Sequence, residues 1–276
     1  MTSERTFDPV VPAEGWHVLH LFYRIEYGQW QLLSPDEQRQ AKTELALLVQ
    51  EIRAAADTQL LTFSVVTPKA DLGFMLLTPD LQTANAYEKR LNLSLGADVL
   101  TPVYSYLSMT ERSEYTLTEA EYVADTLEKE RGLAHGTPEF DAALAEFHGR
   151  MDKYGKDRLY PKLGNRPVIC FYNMLKRRGS EQNWYRLSHE ERKGLMGGHA
   201  RIGRQWAGKI RQLVTGSTGL DDSEWGVTLF AHDTLDVKGI VYEMRFDAVS
   251  AEYAEFGEFY IGLQLPLDEL FRRLLL

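Results

Sequence analysis

The chain repeats itself at long range, and this repeat constrains the fold more than any other feature of the sequence. The segment "WQLLSPDEQRQ" begins at Trp30, and "WYRLSHEERKG" begins 154 positions later, at Trp184. Further on, "DLGFMLLTPD" aligns with "EWGVTLFAHD" through Gly73 and Gly226, and upstream "HLFYRI" aligns with "ICFYNM". Because the matches keep their order at a nearly constant offset, we expect two halves that fold alike.

Each half carries the same succession of secondary-structure signals. An apolar strand-like run, "WHVLHLFYRI" or "RPVICFYNML", comes first. A helix follows, opened by a capping box that pairs Ser34 with Glu37 and Ser188 with Glu191. Two strand-like runs, a second helix and a last short strand complete the pattern. This β-α-β-β-α-β order is ferredoxin-like, so the sequence predicts an α+β protein whose antiparallel sheets pack as a barrel with helices outside.

Between the halves the composition changes. We expect an N-terminal half over residues 1–109, a charged linker or flap over 110–160, and a C-terminal half over 161–276. The linker contains "ERSEYTLTEAEYVADTLEKERG", whose spacing indicates helices or a mobile flap.

The composition of the chain bears on which ligands it can bind and on where in the cell it is located. The 276 residues are 44% hydrophobic and carry a formal net charge of −9, which disfavours nucleic acid as a partner. No stretch has the length of a membrane span and the first residues lack a signal-peptide pattern, so we expect a cytoplasmic protein. The one cysteine, Cys170, cannot form an internal disulfide and is expected to be a small buried apolar residue.

A histidine interrupts an apolar helix face in the C-terminal half. His199 shares its helical face with Leu195, Ile202 and Trp206, which is compatible with a core histidine bonded to the backbone. Three nearby glycines, each costing about 1 kcal/mol relative to alanine in a helix, favour another interpretation. These are Gly194, Gly197 and Gly198. Their lack of side chains would let a flat ligand approach, and one histidine without a second ligand at i+4 fits an axial position of haem iron.

The first strand of the same half presents an unusual face. Alternation places Tyr172, Met174 and Lys176 together, and a buried lysine requires an anionic partner. Alternatively, Lys176 lies at an exposed strand end. Several basic residues occur close together in this part of the sequence: Arg158, Lys162, Arg166, Lys176, Arg177 and Arg178. They favour a polycarboxylate ligand, although a solvated face or a subunit contact would show the same composition.

Long stretches of this half resemble a known family. The segments "NWYRLSHEERKGLMGGHARIGRQWAGKIRQ", "TGSTGLDDSEWGVTLFA" and "YEMRFDAVSAEYAEFGEFY" are similar to the coproheme decarboxylases of the chlorite-dismutase-like haem family. The N-terminal half, with "YSYLSMTERSEY", is similar more loosely. The resemblance implies the dimeric α+β barrel fold. It also implies oxidative decarboxylation of two propionates of iron-coproporphyrin III by hydrogen peroxide, which gives haem b in haem biosynthesis.

The resemblance also implies roles for individual residues. His199 corresponds to the proximal iron ligand, Tyr172 to the tyrosine that abstracts a hydrogen from the propionate, and Lys176 to the lysine beside that propionate. Met174 lines the same pocket, and Gln212 is the distal residue, where chlorite dismutases carry arginine. The implied propionate-binding residues are Arg158, Arg245 and Ser250.

Two departures concern the backbone: Asn173 stands where the family has proline, and Ala200 where it has glycine. Some relatives have histidine in place of the radical tyrosine, so Tyr172 indicates the tyrosine-using type. Two other functions remain open. One is a haem peroxidase or chlorite dismutase of the same fold, and the other is a haem carrier or sensor. By resemblance we expect a homopentamer and a transient contact with a ferrochelatase, with no nucleic acid and no membrane.

Overall fold

The computed structural model describes residues 8–276. Its strands are β1 (His17–Ile25), β2 (Gln59–Val65), β3 (Leu72–Thr78), β4 (Leu100–Met109), β5 (Val168–Lys176), β6 (Ile210–Gly216), β7 (Trp225–Ala231) and β8 (Ala254–Gln264). Its α-helices are α1 (Tyr27–Leu32), α2 (Pro35–Ala54), α3 (Leu81–Leu93), α4 (Glu119–Glu121), α5 (Pro138–Leu159), α6 (His189–Gln205), α7 (Thr234–Met244) and α8 (Leu267–Arg273). The predicted order of elements is therefore present in both halves.

The eight strands form one closed antiparallel barrel in the order β1-β3-β2-β8-β5-β7-β6-β4. Each half contributes four neighbouring strands, and the halves join where the second strand of one meets the last strand of the other. At one join, Phe63–Val65 of β2 pair with residues 262–264 of β8. At the other, β4 meets β6 through Met109 and Gly216. This confirms the predicted α+β fold of two ferredoxin-like halves.

The repeated residues of the two halves occupy matching places inside the barrel. Phe22 and Phe171 are both fully buried in the interior cluster. Gly73 and Gly226 both lie under aromatic rings. A Cβ atom on Gly73 would overlap Phe63, and one on Gly226 would lie 2.6 Å from Cε1 of Tyr106. The glycines recur because the interior ring packing requires a close approach to the backbone at both positions.

The helices that follow the first strands differ sharply, although both begin with the predicted capping box. Helix α2 buries five residues: Ala41, Leu45, Leu48, Val49 and Ile52. Helix α6 buries none. At the 154-residue offset, His199 replaces the buried Leu45 and Gly203 replaces the buried Val49. Helix α6 therefore stands away from the sheet, whereas α2 packs onto it.

The linker is largely helical. Helix α4 continues into a π-helical segment (Tyr122–Glu130), and this segment and α5 share a small apolar core of their own. Two ion pairs connect this region to α6. Lys193 contacts Glu121, and Arg192 lies 3.8 Å from Glu114.

The C-terminal helix α8 crosses back to the N-terminal half. Leu270 and Leu274 join the core cluster that lies beneath α2 and α3. The hydroxyl of Tyr27 donates a hydrogen bond of 3.0 Å to the carbonyl oxygen of Leu274. Within residues 8–276, no helix is long and apolar enough to span a membrane.

Candidate functional site

A cavity of about 1680 Å³ occupies the space that α6 leaves above the sheet. Its wall on the sheet side comes from the outer face of β5, β7 and β6, and its opposite wall from α6 and α7. The linker closes part of its rim through residues 109–117. The cavity thus lies at the place where the C-terminal half departs from its N-terminal counterpart.

His199 lies on the α6 wall of this cavity. Its Nδ1 atom is 2.9 Å from a carboxylate oxygen of Asp247, whose side chain is only 6% exposed. Burial raises the pKa of Asp247, but the hydrogen bond and charge of His199, together with hydrogen bonding from Ser250, outweigh this effect, and the net pKa lies below its ordinary value. Asp247 therefore holds one ring nitrogen and leaves Nε2 available to a ligand in the cavity.

Asp247 was not identified from the sequence. It lies 48 positions from His199, and no helical or strand periodicity relates the two. Helix α7 and the turn after it bring Asp247 to α6, so only the tertiary fold shows the pair.

The glycines of α6 fit a flat ligand. Gly197 lines the cavity, and no atom lies within 4 Å of a Cβ atom built on Gly194, Gly197 or Gly198. Ala200, which replaces the family glycine, also lines the cavity. The wall is thus smooth around His199, and its lack of buried side chains leaves room for a planar group such as a porphyrin.

Tyr172 lies on the opposite, sheet-side wall. It is 5% exposed, and its ring stacks on Phe259 with the centroids 4.5 Å apart. Burial raises the pKa of the phenol well above its ordinary value. No hydrogen-bond partner for its hydroxyl occurs among residues 8–276. The site therefore holds a neutral phenol whose O–H group is free to face a ligand.

Met174 and Lys176 share the cavity-facing side of β5 with Tyr172, as the alternation predicted. The Lys176 ammonium lies 4.3 Å from the ring centre of Trp225 and 5.8 Å from that of Trp184. Burial lowers the pKa of Lys176, and the neighbouring acidic groups partly offset this effect. In the described part of the chain, no carboxylate lies within ion-pair distance of this ammonium. Cation–π contacts hold Lys176 at the cavity, and the two tryptophans were not identified from the sequence.

Gln212 and Arg158 also line the cavity. Gln212 pairs across β7 through Leu229 to Cys170, which places it on the same sheet face as Tyr172, two strands away. A Cβ atom on Gly203 would lie 3.3 Å from the Gln212 side-chain nitrogen, so this amide faces α6. Cys170 itself is fully buried, as predicted.

Arg245 and Ser250 do not line the cavity. Arg245 lies over the ring of Phe256, 4.9 Å from its centre, and this ring neighbours Tyr172. Ser250 is 5% exposed, its backbone N–H donates a hydrogen bond of 3.4 Å to Asp247, and its buried hydroxyl lies beside the same carboxylate. Their predicted contact with propionates requires these side chains to turn toward the ligand. Of the other basic residues, Lys162 and Arg166 line the cavity, whereas Arg177 and Arg178 lie outside it.

Asn173 takes part in the β-bulge that offsets β5 against β8 between Tyr172 and Met174. Its amide donates a hydrogen bond to the Ser223 hydroxyl. Its side chain also lies directly against Gly257, where a Cβ atom would overlap it. The asparagine therefore ties the tyrosine-bearing strand to the β6–β7 loop, a contact that a proline could not make.

The same architecture occurs in known proteins. A family model described as chlorite dismutase matches residues 38–265. The chain belongs to the chlorite dismutase family. A structure described as a novel heme-binding protein from Thermus thermophilus is 36% identical, with a TM-score of 0.78, over 98% of this chain and 100% of that chain.

More distant members of the chlorite dismutase family share the fold alone. A mutant chlorite dismutase from Candidatus Nitrospira defluvii is 18% identical with a TM-score of 0.71, over 95% of this chain and 97% of that one. The chlorite dismutase of the same organism in complex with imidazole is 17% identical, with a TM-score of 0.69, over 95% and 96% of the two chains. The family includes haem-dependent enzymes, which is consistent with oxidoreductase chemistry at this cavity.

Proposed function

We propose that this chlorite dismutase family member is a coproheme decarboxylase. It binds iron-coproporphyrin III and uses hydrogen peroxide to convert two propionates into vinyl groups, giving haem b. The observation that carries the proposal is the joint presence of Tyr172 and Lys176 on one strand face of the cavity that also contains His199. One rigid element then presents a phenol and a propionate anchor together.

The porphyrin would lie between α6 and the sheet. His199 would bind the iron through Nε2, because Asp247 occupies Nδ1. Gln212 and Tyr172 line the sheet side of the cavity and would face the other side of the macrocycle. A neutral imidazole on one face leaves the other face of the iron accessible to peroxide.

Arg158, Lys176, Arg245 and Ser250 would hold the carboxylates. Each charge-assisted hydrogen bond contributes about 1.5–3 kcal/mol. The substrate has four carboxylates and haem b has two, so these residues favour substrate over product. Fixing a propionate against Tyr172 is a positioning effect, which supplies much of the rate of such reactions.

Tyr172 would remove a hydrogen atom from the β-carbon of the propionate, the carbon bonded to the porphyrin ring. The raised pKa of the buried phenol keeps its O–H bond intact until the phenol is oxidised. Each decarboxylation removes two electrons from the propionate and releases one carbon dioxide. One peroxide accepts those electrons, and the step consumes one proton overall and yields two waters.

Two other functions compete with this proposal. Chlorite degradation on the same fold is disfavoured by Gln212, because by resemblance the chlorite dismutases carry arginine at the corresponding position. Haem carriage without turnover would need His199 but neither Tyr172 nor Lys176. We further propose that the protein acts in the cytoplasm as a homopentamer that receives substrate through transient contact with a ferrochelatase.

The test is anaerobic addition of hydrogen peroxide to the protein with iron-coproporphyrin III, followed by mass spectrometry of the porphyrin. Stepwise loss of two carboxyl groups is the expected result. Chlorite conversion to oxygen, or binding without any change in porphyrin mass, would contradict the proposal.

Tyr172→Phe should bind iron-coproporphyrin III nearly as well as the parent and release no carbon dioxide, because phenylalanine has no O–H bond to break. The matched control is Tyr23→Phe, since Tyr23 is the repeat counterpart of Tyr172 and is also buried but does not line this cavity. Haem b formation by Tyr172→Phe at the parent rate would show that the tyrosine only packs.

A further inference from the structure

Glu111 follows strand β4 at the seam where the two halves of the barrel meet. Strand β4 pairs with β6 there through Met109 and Gly216. The Glu111 carboxylate lies directly on the Gly216 backbone, where a Cβ atom on the glycine would overlap it. Glu111 also lines the cavity. A carboxylate is thus placed at the wall of a site that is otherwise suited to anionic ligands.

The other cavity-lining carboxylates all have partners. Glu14 pairs with Arg112 at 3.0 Å, Asp157 with Lys153 at 2.7 Å, and Glu114 with Arg192 at 3.8 Å. Glu224 accepts hydrogen bonds from the Lys176 backbone N–H and the Tyr185 hydroxyl. Among the cavity-lining acids in residues 8–276, only the Glu111 side chain has no hydrogen bond and no ion pair.

Two cations and one anion face Glu111. Arg158 of α5 donates to the Glu111 carbonyl oxygen at 3.1 Å, and Lys176 of β5 lines the same cavity, close enough for its charge to favour the ionised carboxylate. Glu114 adds a like charge from the same loop. Glu111 is an exposed residue whose side chain faces the open cavity. Partial burial against the cavity walls nevertheless raises the pKa of its carboxyl, and the charges of Arg158 and Lys176 partly oppose this effect.

We infer that Glu111 takes up a proton when the carboxylates of a porphyrin bind beside Arg158 and Lys176. The arriving carboxylates would neutralise the two cations that now favour ionised Glu111. They would also bring like charge next to it and exclude water from the cavity. All three changes disfavour an ionised carboxylate, and a protonated Glu111 can donate a hydrogen bond to a ligand carboxylate.

This inference rests on the proposed function only in that the ligand is a porphyrin with several carboxylates. It adds a source for the proton that each decarboxylation consumes. It also supplies selectivity, because haem b has two fewer carboxylates and would favour protonated Glu111 less than the substrate does.

The experiment uses metal-free coproporphyrin III, so that iron ligation by His199 does not contribute protons. Calorimetric titrations in buffers of different ionisation enthalpy give the number of protons taken up on binding. The parent and Glu111→Gln are compared, with Glu14→Gln as the matched control, because Glu14 lines the same cavity but is ion-paired. The dissociation constant is measured in parallel between about pH 6 and pH 8.5, because a linked proton makes affinity depend on pH.

We expect proton uptake in the parent and in Glu14→Gln, and loss of that uptake in Glu111→Gln. The parent dissociation constant should rise with pH, by up to about tenfold per pH unit for one linked proton. Glu111→Gln should bind more tightly than the parent at the alkaline end of this range, with the difference shrinking toward the acidic end. The substitution removes a negative charge that the parent neutralises only by protonation.

Equal proton uptake in the parent and Glu111→Gln would overturn the inference, as would an absence of uptake in the parent. Failure of the parent to bind the metal-free porphyrin would overturn the inference, and failure to bind iron-coproporphyrin III as well would also overturn the proposed function. Normal binding and uptake with no release of carbon dioxide from the iron porphyrin would leave the inference standing and remove the proposed function alone.

Discussion

The ability of His199 to bind a ligand depends on one hydrogen bond as well as on the imidazole ring itself. His199 is useful to a ligand because Asp247 occupies only one of its nitrogens. The buried carboxylate fixes the tautomer and the ring orientation, and it makes the free nitrogen a better electron donor. The pair therefore acts as a unit, and removing either member should affect the porphyrin.

Asp247→Ala should weaken binding of iron-coproporphyrin III by roughly 10–100-fold, the usual effect of removing such a partner. The His199 ring would lose its orientation but could still reach the iron. His199→Ala should weaken binding further and change the Soret spectrum. An Asp247→Ala protein with parent affinity and an unchanged Soret band would show that this carboxylate does not support the ligand.

A second histidine, His20, should make stability depend on pH. It is fully buried inside the barrel, and burial lowers its pKa from 6.5 to about 3. Below pH 6.5 the unfolded chain binds a proton that the folded chain does not, so the free energy of unfolding falls as pH decreases toward 3. For one group, the slope is up to about 1.4 kcal/mol per pH unit.

Denaturant unfolding at several pH values measures this slope. His20→Gln keeps a donor and an acceptor near Thr228 but cannot titrate, so its slope should be smaller than that of the parent. His232→Gln, at an exposed histidine, is the control for the histidine-to-glutamine substitution itself. Equal slopes for the parent and His20→Gln would assign the acid sensitivity to other groups.

At the level of elements, the repeated helices α2 and α6 differ in role: α2 packs onto the sheet, whereas α6 forms a wall of the cavity. Both start with the same capping box, so their beginnings are equally well defined by local sequence. The buried face of α2 carries leucine and valine where α6 carries His199 and Gly203. Losing this apolar surface removes the packing that would draw α6 onto the sheet. The resulting gap is the cavity.

The glycines of α6 allow a test with its own control. Gly197→Leu would project a side chain into the cavity, whereas Gly194 does not line it. Leucine at either position should raise the free energy of unfolding by roughly 0.5–1 kcal/mol, because glycine disfavours helix. Only Gly197→Leu should weaken porphyrin binding, by about tenfold or more, which corresponds to roughly 1.4 kcal/mol.

Thermal unfolding and porphyrin titration of both variants distinguish a cavity effect from a helix effect. Equal loss of affinity in Gly194→Leu and Gly197→Leu would mean that helix flexibility, rather than open space at the wall, explains the glycines.

At the scale of the whole molecule, the two halves depend on each other. At both joins of the barrel, a strand of one half pairs with a strand of the other. Helix α8 follows the last strand of the C-terminal half but packs into the core of the N-terminal half. Neither half has all of its strands paired without the other. The chain should therefore unfold as one cooperative unit although most of the cavity lining comes from the C-terminal half and the linker.

Leu270→Ala tests this coupling, because Leu270 is 1% exposed and lies far along the chain from the core that it joins. The substitution should lower the free energy of unfolding by about 2–5 kcal/mol. Circular dichroism and tryptophan fluorescence should show one coincident transition. The control is Leu275→Ala at a residue that is 77% exposed, where a change within about 0.5 kcal/mol is expected.

Two separate transitions in Leu270→Ala, with the porphyrin-binding half unaffected, would show that the halves fold independently.

The elements of each half and their order could be predicted from the sequence alone. The repeat, the capping boxes at Ser34 and Ser188, and the alternation along β5 are local patterns, and local patterns report local structure. They also placed Tyr172, Met174 and Lys176 on one face and marked His199 as unusual. The resemblance added roles for Arg158 and Gln212, which the fold brings to the same cavity.

The contacts between residues that lie far apart in the sequence could not be predicted and are seen only in the folded structure. Asp247 reaches His199, Glu111 lies on Gly216, and Trp225 lies under Lys176, and each contact depends on how the barrel closes rather than on spacing along the chain. The same holds for Arg245 and Ser250, which the resemblance assigned to the propionates but which lie outside the cavity. Side-chain direction at the end of a helix or in a turn is set by packing against other elements, and a one-dimensional pattern does not encode that packing.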